Sequence, residues 1–297
     1  INFGMPDYLP RAAYPDEKRW QISQNFSWLR GRHSIKFGYD INWVRDKMIQ
    51  LFQGGGVYSY STLNDLALDC LNLQLPLAPC QSTPTTGAAG ITGRHYTSFT
   101  QGFDSVGKGG ELQFGNQDYG FYVEDSFKPA SNLTLNLGLR YDLETMPTPS
   151  TPNPLIPASS YLNTDKNNFG PRVGLSWDPF KQQKTVVRLG AGMYYGRTQN
   201  STISSLMREN GERIKAYQFL PSTPGSPAFP QVFSGVPSGV SGRPNGFFPA
   251  RDFVNPLIYQ LELAIEQEVF RNFTVSATYM STRGQKMPLF RDINLFA

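Results

Sequence analysis

Two histidines are present in this 297-residue sequence, and they limit the catalytic chemistry that the chain can support. His33 lies in a short segment between two strand-like runs, whereas His95 lies in a long polar segment. A protease or lipase that uses a serine nucleophile needs a histidine beside a serine or a carboxylate. Asp165 and Asp178 are carboxylates in segments where Asp typically initiates a turn. The sequence therefore does not favour an enzyme, and we expect no cofactor.

The two cysteines, Cys70 and Cys80, lie ten residues apart in the longest polar connection. Their spacing matches no metal-binding motif, and no histidine is adjacent to them. Export to an oxidising compartment would favour a disulfide that closes a small loop. Two free structural thiols are the alternative, and neither state indicates catalysis.

Charged residues recur at alternate positions in several segments, where apolar residues occupy the positions between them. Because successive side chains of a strand point to opposite sides, this pattern predicts one charged face and one apolar face. The charged face could hold a movable domain or line a path for a polar solute, or it could be a solvated wall of ion pairs. The candidates are Lys36, Asp40, Arg140, Asp142, Arg172, Arg188, Glu262 and Glu266.

These positions belong to eight predicted strands arranged as four hairpins. Within each hairpin the turn has a few residues, whereas several dozen residues can separate one hairpin from the next. Strands of about 9–11 residues are long enough to cross a bilayer when they are tilted. The pairs are residues 20–29 with 33–44, 119–127 with 133–143, 169–177 with 185–195, and 257–269 with 273–279.

The asymmetry between short turns and long loops predicts an antiparallel transmembrane β-barrel in the cell outer membrane, with the apolar faces toward lipid. Charges on the lipid side would cost about 2–4 kcal/mol for Arg or Lys at the midplane, so the charged residues are expected to face inward. A soluble antiparallel sandwich is the alternative. Aromatic residues near strand ends favour the barrel, because they suit its interfacial girdles: Trp20, Trp28, Trp43, Tyr141, Trp177, Tyr195, Tyr259 and Tyr279.

Composition is compatible with a barrel. The hydrophobic fraction is 39%, and no run of about 20 apolar residues could form a spanning helix. The net charge of +4 is spread along the chain without a basic stripe, so nucleic acid is not an expected partner. The first residues lack the pattern of a signal peptide. We expect an internal piece of a longer protein or a mature form without its leader.

The long connections are expected to lie outside the cell and to contact a ligand. They span residues 45–117, 144–168 and 197–256. Residues 57–60 and 94–103 are strand-like and 61–68 resemble a capped helical turn, which predicts an external loop structure or an extra pair of spanning strands. The most apolar stretch of these loops contains the contact candidates Phe247, Phe248, Arg251 and Phe253, for which packing on the barrel rim is the alternative.

Several segments resemble the barrel of TonB-dependent outer-membrane receptors. These are residues 31–38 (GRHSIKFG), 118–127 (DYGFYVEDSF) and 133–141 (LTLNLGLRY). Residues 167–179 and 279–284 resemble the Oar-like branch of that family. The likeness extends over nearly the whole chain, and its specificity lies in the order of the motifs.

The resemblance implies a 22-stranded barrel that is filled by an N-terminal plug and coupled to TonB, and that imports a sugar, peptide, metal chelate or other large or scarce substrate. Residues 1–297 would all belong to the barrel, since no plug domain or TonB box is recognisable. Eight strands are about a third of such a barrel, so we expect an unclosed sheet. Lipid, the plug and TonB would be partners of the full-length protein. An autonomous small barrel with a structural or adhesive role is the alternative.

Overall fold

The computed structural model describes residues 2–4, 16–71, 94–238 and 246–293. No helix in these ranges is long and apolar enough to cross a membrane. A single 3-10 turn is described at Pro157–Ser160. The elements in chain order are β1 Asn2–Gly4, β2 Asp16–Arg30, β3 His33–Ile49, β4 Val57–Ser59, α1 Leu63–Leu71, β5 Ser98–Asp104, β6 Glu111–Ala130, β7 Leu133–Thr145, β8 Asn168–Trp177, β9 Thr185–Tyr195, α2 Asn200–Arg208, β10 Ile214–Phe219, β11 Leu257–Phe270 and β12 Phe273–Gln285.

Eight strands form one antiparallel sheet in the order β12-β11-β9-β8-β7-β6-β3-β2. The eight predicted strands are confirmed, and each predicted hairpin pairs with its expected partner. Strand β9 has the predicted bounds. Within the described residues, β2 and β12 are the edges of this sheet and do not pair with each other. The sheet is therefore open, as expected.

Apolar side chains on one face of this sheet remain exposed, and we call it the apolar face. Trp20 is 76% exposed and Leu137 is 53% exposed, although a water-soluble sandwich would bury both. Cross-strand register keeps like residues together, since Trp20 lies opposite Trp43 and Ile22 opposite Ile41. The sandwich alternative is therefore wrong. The opposite side, which carries the charged residues, is called the polar face.

Strands β3 and β6 continue well beyond the predicted ends, to Ile49 and from Glu111. The predicted loop at residues 45–117 was therefore too long at both ends. Residues of the two faces still alternate in these extensions, but the polar-face positions there do not face open solvent. Asp46 on the polar-face parity is only 2% exposed, because loop residues cover it.

The loops build a second, four-stranded sheet in the order β1-β4-β5-β10. Together with α1 and residues 220–233 it forms what we call the loop body. Its core is a cluster of aromatic rings, in which Phe99 is fully buried. Thr62 and Asp65 exchange hydrogen bonds at the start of α1, which is a capping arrangement. The external loop structure is thus confirmed, and β4 and β5 are not an extra spanning pair.

Helix α2 joins the loops to the large sheet. Ile203 and Met207 pack against Leu112 and Phe114, which lie on the polar-face parity of β6. Arg208 is 2% exposed and donates to the carbonyl and side-chain oxygens of Gln50, both at 2.7 Å, at the end of β3. The loop end of the polar face is therefore covered by folded chain.

Candidate functional site

All eight charged candidates lie on the polar face, on strands β3, β7, β8, β9 and β11. The register brings them into rows across the sheet. One row runs from Lys36 through Glu124 and Gly138 to Arg172 and Gly192. Lys36 thus lies directly opposite Glu124, and Gly138 separates Glu124 from Arg172. Their role in holding a domain or lining a path stays a prediction.

Most of these charges have partners along the same face. Arg140 binds Asp142 at 2.8 Å, and Arg188 binds Glu266 at 2.9 Å. The guanidinium of Arg172 lies over the ring of Tyr194, 4.5 Å from its centroid. Asp40 accepts hydrogen bonds from Gln21 and Asn42, both at 2.7 Å. The pairs are partly exposed, so the wall remains accessible to a solute or to another domain.

A groove of about 470 Å³ runs along this face. Its floor contains Gly138, Gly174, Gly190 and Gly192, and its sides carry Lys36, Glu124, Arg172, Gln260 and Glu262. Glycines on the floor leave room that larger side chains would fill. A Cβ at Gly190 would meet nothing within 4 Å, so this glycine keeps space open and is not required by a close contact. The groove can accommodate polar or charged groups of either sign.

Toward the loops, the groove is followed by a buried polar junction centred on Glu144. Its carboxylate accepts hydrogen bonds from the backbone of Thr198 at 2.9 Å and from the side chains of Asn116 at 3.3 Å and Asn255 at 3.2 Å. Asp118 binds Arg197 at 2.8 Å beside it. Because Thr198, Arg197 and Asn255 come from the loops, this junction fastens the loops onto the sheet.

The junction also contains oxygens without a partner in the structure. They belong to Asn116, Asp118, Asn168 and Thr198, all of which are buried. A cavity of about 30 Å³, lined by Asp118 and Asn168 among others, is large enough to hold a water molecule. Sequence reasoning missed this site, and the only signal was that polar residues continue the alternation beyond the aromatic girdle.

The ligand-contact role of the four loop candidates stays a prediction, as does their packing on the barrel rim. Phe247 is 39% exposed and meets the ring of Phe290 edge-on at 5.9 Å. The carbonyl of Phe253 accepts a hydrogen bond from Asn163. Phe248 is half-buried, and Arg251 is exposed.

The histidines lie far apart along the fold. His33, in the short-turn region, binds Asp125 at 2.6 Å, and His95, in the loop body, binds the buried Asp69 at 2.6 Å. Cys70 is buried, whereas Cys80 falls outside the described residues, so the disulfide stays a prediction. Among the described residues, no group of three or more His, Cys, Asp or Glu could hold a metal ion.

A family model described as an outer membrane beta barrel domain matches residues 6–297. The chain belongs to this family. Its apolar face therefore contacts the lipid of the cell outer membrane, and the large sheet is a portion of barrel wall. No curated protein matches this sequence.

Solved structures with a similar arrangement include outer-membrane proteins of three bacteria. The outer membrane transporter YddB from Escherichia coli is 16% identical, with a TM-score of 0.49, over 90% of this chain and 25% of its own. The FrpB iron transporter from Neisseria meningitidis is 12% identical, with a TM-score of 0.47, over 91% and 29%. The siderophore receptor PirA from Acinetobacter baumannii is 11% identical, with a TM-score of 0.42, over 92% and 27%. This chain spans about a quarter of their length.

Proposed function

We propose that residues 1–297 are part of the barrel wall of a TonB-dependent receptor that imports a large or scarce solute, such as a sugar, a peptide or a metal chelate. The observation that carries the proposal is the charged groove on the polar face, on the side of the wall away from lipid. In the full-length protein this face would contact a plug domain that TonB displaces. Lipid, the plug and TonB would be its partners, and the ligand would bind at the loops.

The arrangement of charges on the polar face supports reversible binding of a plug domain. Exposed ion pairs are worth only about 0–1 kcal/mol, so Arg140–Asp142 and Arg188–Glu266 can exchange partners at small cost. A buried, fully satisfied network would hold a domain too firmly for repeated release. The open edges of β2 and β12 also favour a larger barrel over an autonomous small one.

The double substitution Arg140→Gln and Arg188→Gln in the full-length protein tests this proposal. If these cations hold the plug, liposomes that contain the variant will swell several times faster in raffinose than those with the unchanged protein. Arg30→Gln with Arg271→Gln removes the same charge at the short-turn end and should leave the rate unchanged. Equal swelling rates for all three proteins, with equal uptake into cells, would show that these polar-face cations do not hold the plug.

A further inference from the structure

At the end of β2 and β3 nearest the long loops, the outward side chains of the apolar face change from aromatic to basic. The change takes place between one outward pair of residues and the next. Trp20 lies opposite Trp43, and the next residues on the same face are Lys18 and Arg45, which also lie opposite each other. Lys47 follows on β3, opposite Asp16. Two aromatic rings and three cations therefore stand in order along the outside of two neighbouring strands.

Their height can be estimated from strand geometry. Trp20 and Trp28 are eight residues apart on β2, or about 27 Å along the strand. A tilt of about 40° reduces this to about 20 Å, close to the apolar band of an outer-membrane barrel. Trp20 and Trp43 then mark the outer interface. Lys18 and Arg45, about 7 Å farther along their strands, stand at the level of the lipid headgroups.

The charges at this level are incompletely neutralised by protein. Lys47 binds Glu111 at 3.2 Å, and Asp16 is the other carboxylate on this face of the two strands. In the part of the chain that the structure describes, neither Lys18 nor Arg45 takes part in an ion pair, and both are exposed. On β6, Arg45 lies opposite Gly115, so no side chain stands directly across from it on that strand.

Paired outward cations occur on β2 and β3. At the loop ends of β7, β9 and β11, the corresponding outward positions hold Thr145, Tyr195 and Leu257, which carry no positive charge. Strand β12, at the other edge of the sheet, carries a single outward cation, Arg283, opposite Tyr259. Glu17 and Asp46 lie next to the patch in sequence but point to the polar face by strand alternation. A ligand at this patch would therefore meet cations above and aromatic rings below.

We propose that Lys18 and Arg45 bind the phosphate of an outer-leaflet lipid whose acyl chains lie on Trp20, Trp43 and Ile41. An outer-membrane location, the girdle height and the charge complementarity all point to a phosphorylated lipid. The guanidinium of Arg45 is suited to bidentate phosphate binding, and Lys18 adds a second positive charge. The site lies outside the wall, so it does not depend on the proposed transport function.

Binding of bisphosphorylated lipid A to the full-length protein in detergent tests the site, with native mass spectrometry as the readout. Lys18→Gln with Arg45→Gln should weaken binding about tenfold or more, because two charge-assisted contacts are lost. Lys18→Arg should retain the affinity. The matched control is Arg30→Gln with Arg271→Gln, which removes two charges at the opposite end and should bind as the unchanged protein does. Heat-dependent gel mobility identifies folded samples, and Arg45→Gln alone provides a milder variant.

Two further probes separate the source of the phosphate. Dephosphorylated lipid A should bind as weakly to the unchanged protein as lipid A does to the double variant, and inorganic phosphate alone should not bind measurably. Equal binding of the phosphorylated and dephosphorylated lipids would show that the patch binds acyl chains without recognising the phosphate. That result would overturn the proposal. Equal losses in the double variant and the matched control would do the same.

Discussion

In the loop body, Phe99 is fully buried among other aromatic rings, whereas on the large sheet Phe121 is 46% exposed on the apolar face. The loop body has its apolar residues inside, as a protein in water does. The wall has apolar residues outside and charged residues on the other face. The same residue types therefore take opposite positions in two parts of one chain, because one part is surrounded by water and the other by lipid.

The difference shows where each part obtains its stability. The loop body depends on burial of apolar area and on packing. The wall depends on cross-strand hydrogen bonds, for which lipid provides no competing partner. A substitution should therefore have consequences that depend on which part contains it, even when the residue type is the same.

The largest expected effect is that of Phe99→Ala in the loop body. Truncation of a buried Phe costs about 3–5 kcal/mol, because it removes apolar contacts and leaves a cavity. The loop body should become sensitive to protease added to intact cells, while the wall keeps its heat-dependent gel mobility. Limited proteolysis followed by mass spectrometry of the fragments measures both.

Phe121→Ala provides the matched comparison on the apolar face of β6. Since lipid can follow the smaller side chain, no cavity is left. We therefore expect no protease-sensitive state and a smaller loss of stability, about 1.5–3 kcal/mol by the unfolding midpoint in urea, from the apolar area that no longer enters lipid. If Phe121→Ala destabilised its part as much as Phe99→Ala does, the apolar face would be a protein core and not a lipid contact.

An intermediate effect is expected from a new charge on β7. Leu137→Arg places the charge on the apolar face and should cost about 2–4 kcal/mol near the bilayer midplane. Asn136→Arg places the same charge one residue away on the polar face, where other charges already lie. The measurements are the urea midpoint of the full-length protein in lipid vesicles and its abundance in the outer membrane. Similar losses for both variants would mean that the two faces do not differ in their surroundings.

Strand alternation predicted the eight strands and their two faces, and the contrast between short turns and long loops, with aromatic residues near strand ends, distinguished a barrel wall from a soluble sandwich. Each predicted hairpin pairs as expected across its short turn, and β9 has the predicted bounds. The pattern works because lipid on one side and charge on the other apply the same constraint at every second residue. The placement of the eight charged candidates on one face follows from the same constraint.

Helix α2 and strand β10 were missed because no comparable constraint acts on the loops. Residues 200–208 contain several Ser and Thr, which have modest helix propensity, and the burial of Ile203 and Met207 depends on Leu112, far away in sequence. Strand β10 pairs with β5, more than a hundred residues earlier. The junction at Glu144 likewise joins three segments that alternation cannot bring together. Long-range contacts of this kind leave no periodic signal in the sequence.

The smallest expected effect concerns alkaline pH and again separates the two parts. Burial, with Asp69 as a second cause, raises the pKa of Tyr60 in the loop body, where its hydroxyl donates to Asp69 at 3.0 Å. A raised pKa means that the stabilisation is complete below the unfolded value of about 10 and is lost as the pH rises toward the folded value. The loop body should therefore lose stability above pH 10, by up to about 1.4 kcal/mol per pH unit for this group.

Tyr60→Phe should flatten that decline while costing about 1 kcal/mol at neutral pH for the lost hydrogen bond. Tyr279→Phe, at a position 63% exposed on the wall, should leave the pH dependence unchanged. Protease susceptibility of the loop body between pH 8 and pH 11 measures the slope. Because Tyr58 and Tyr96 also have raised pKa values from burial, a residual slope is expected in Tyr60→Phe. A slope as steep as that of the unchanged protein would show that Tyr60 ionises as freely in the folded loop body as in water, and that its aromatic cluster is not closed to solvent.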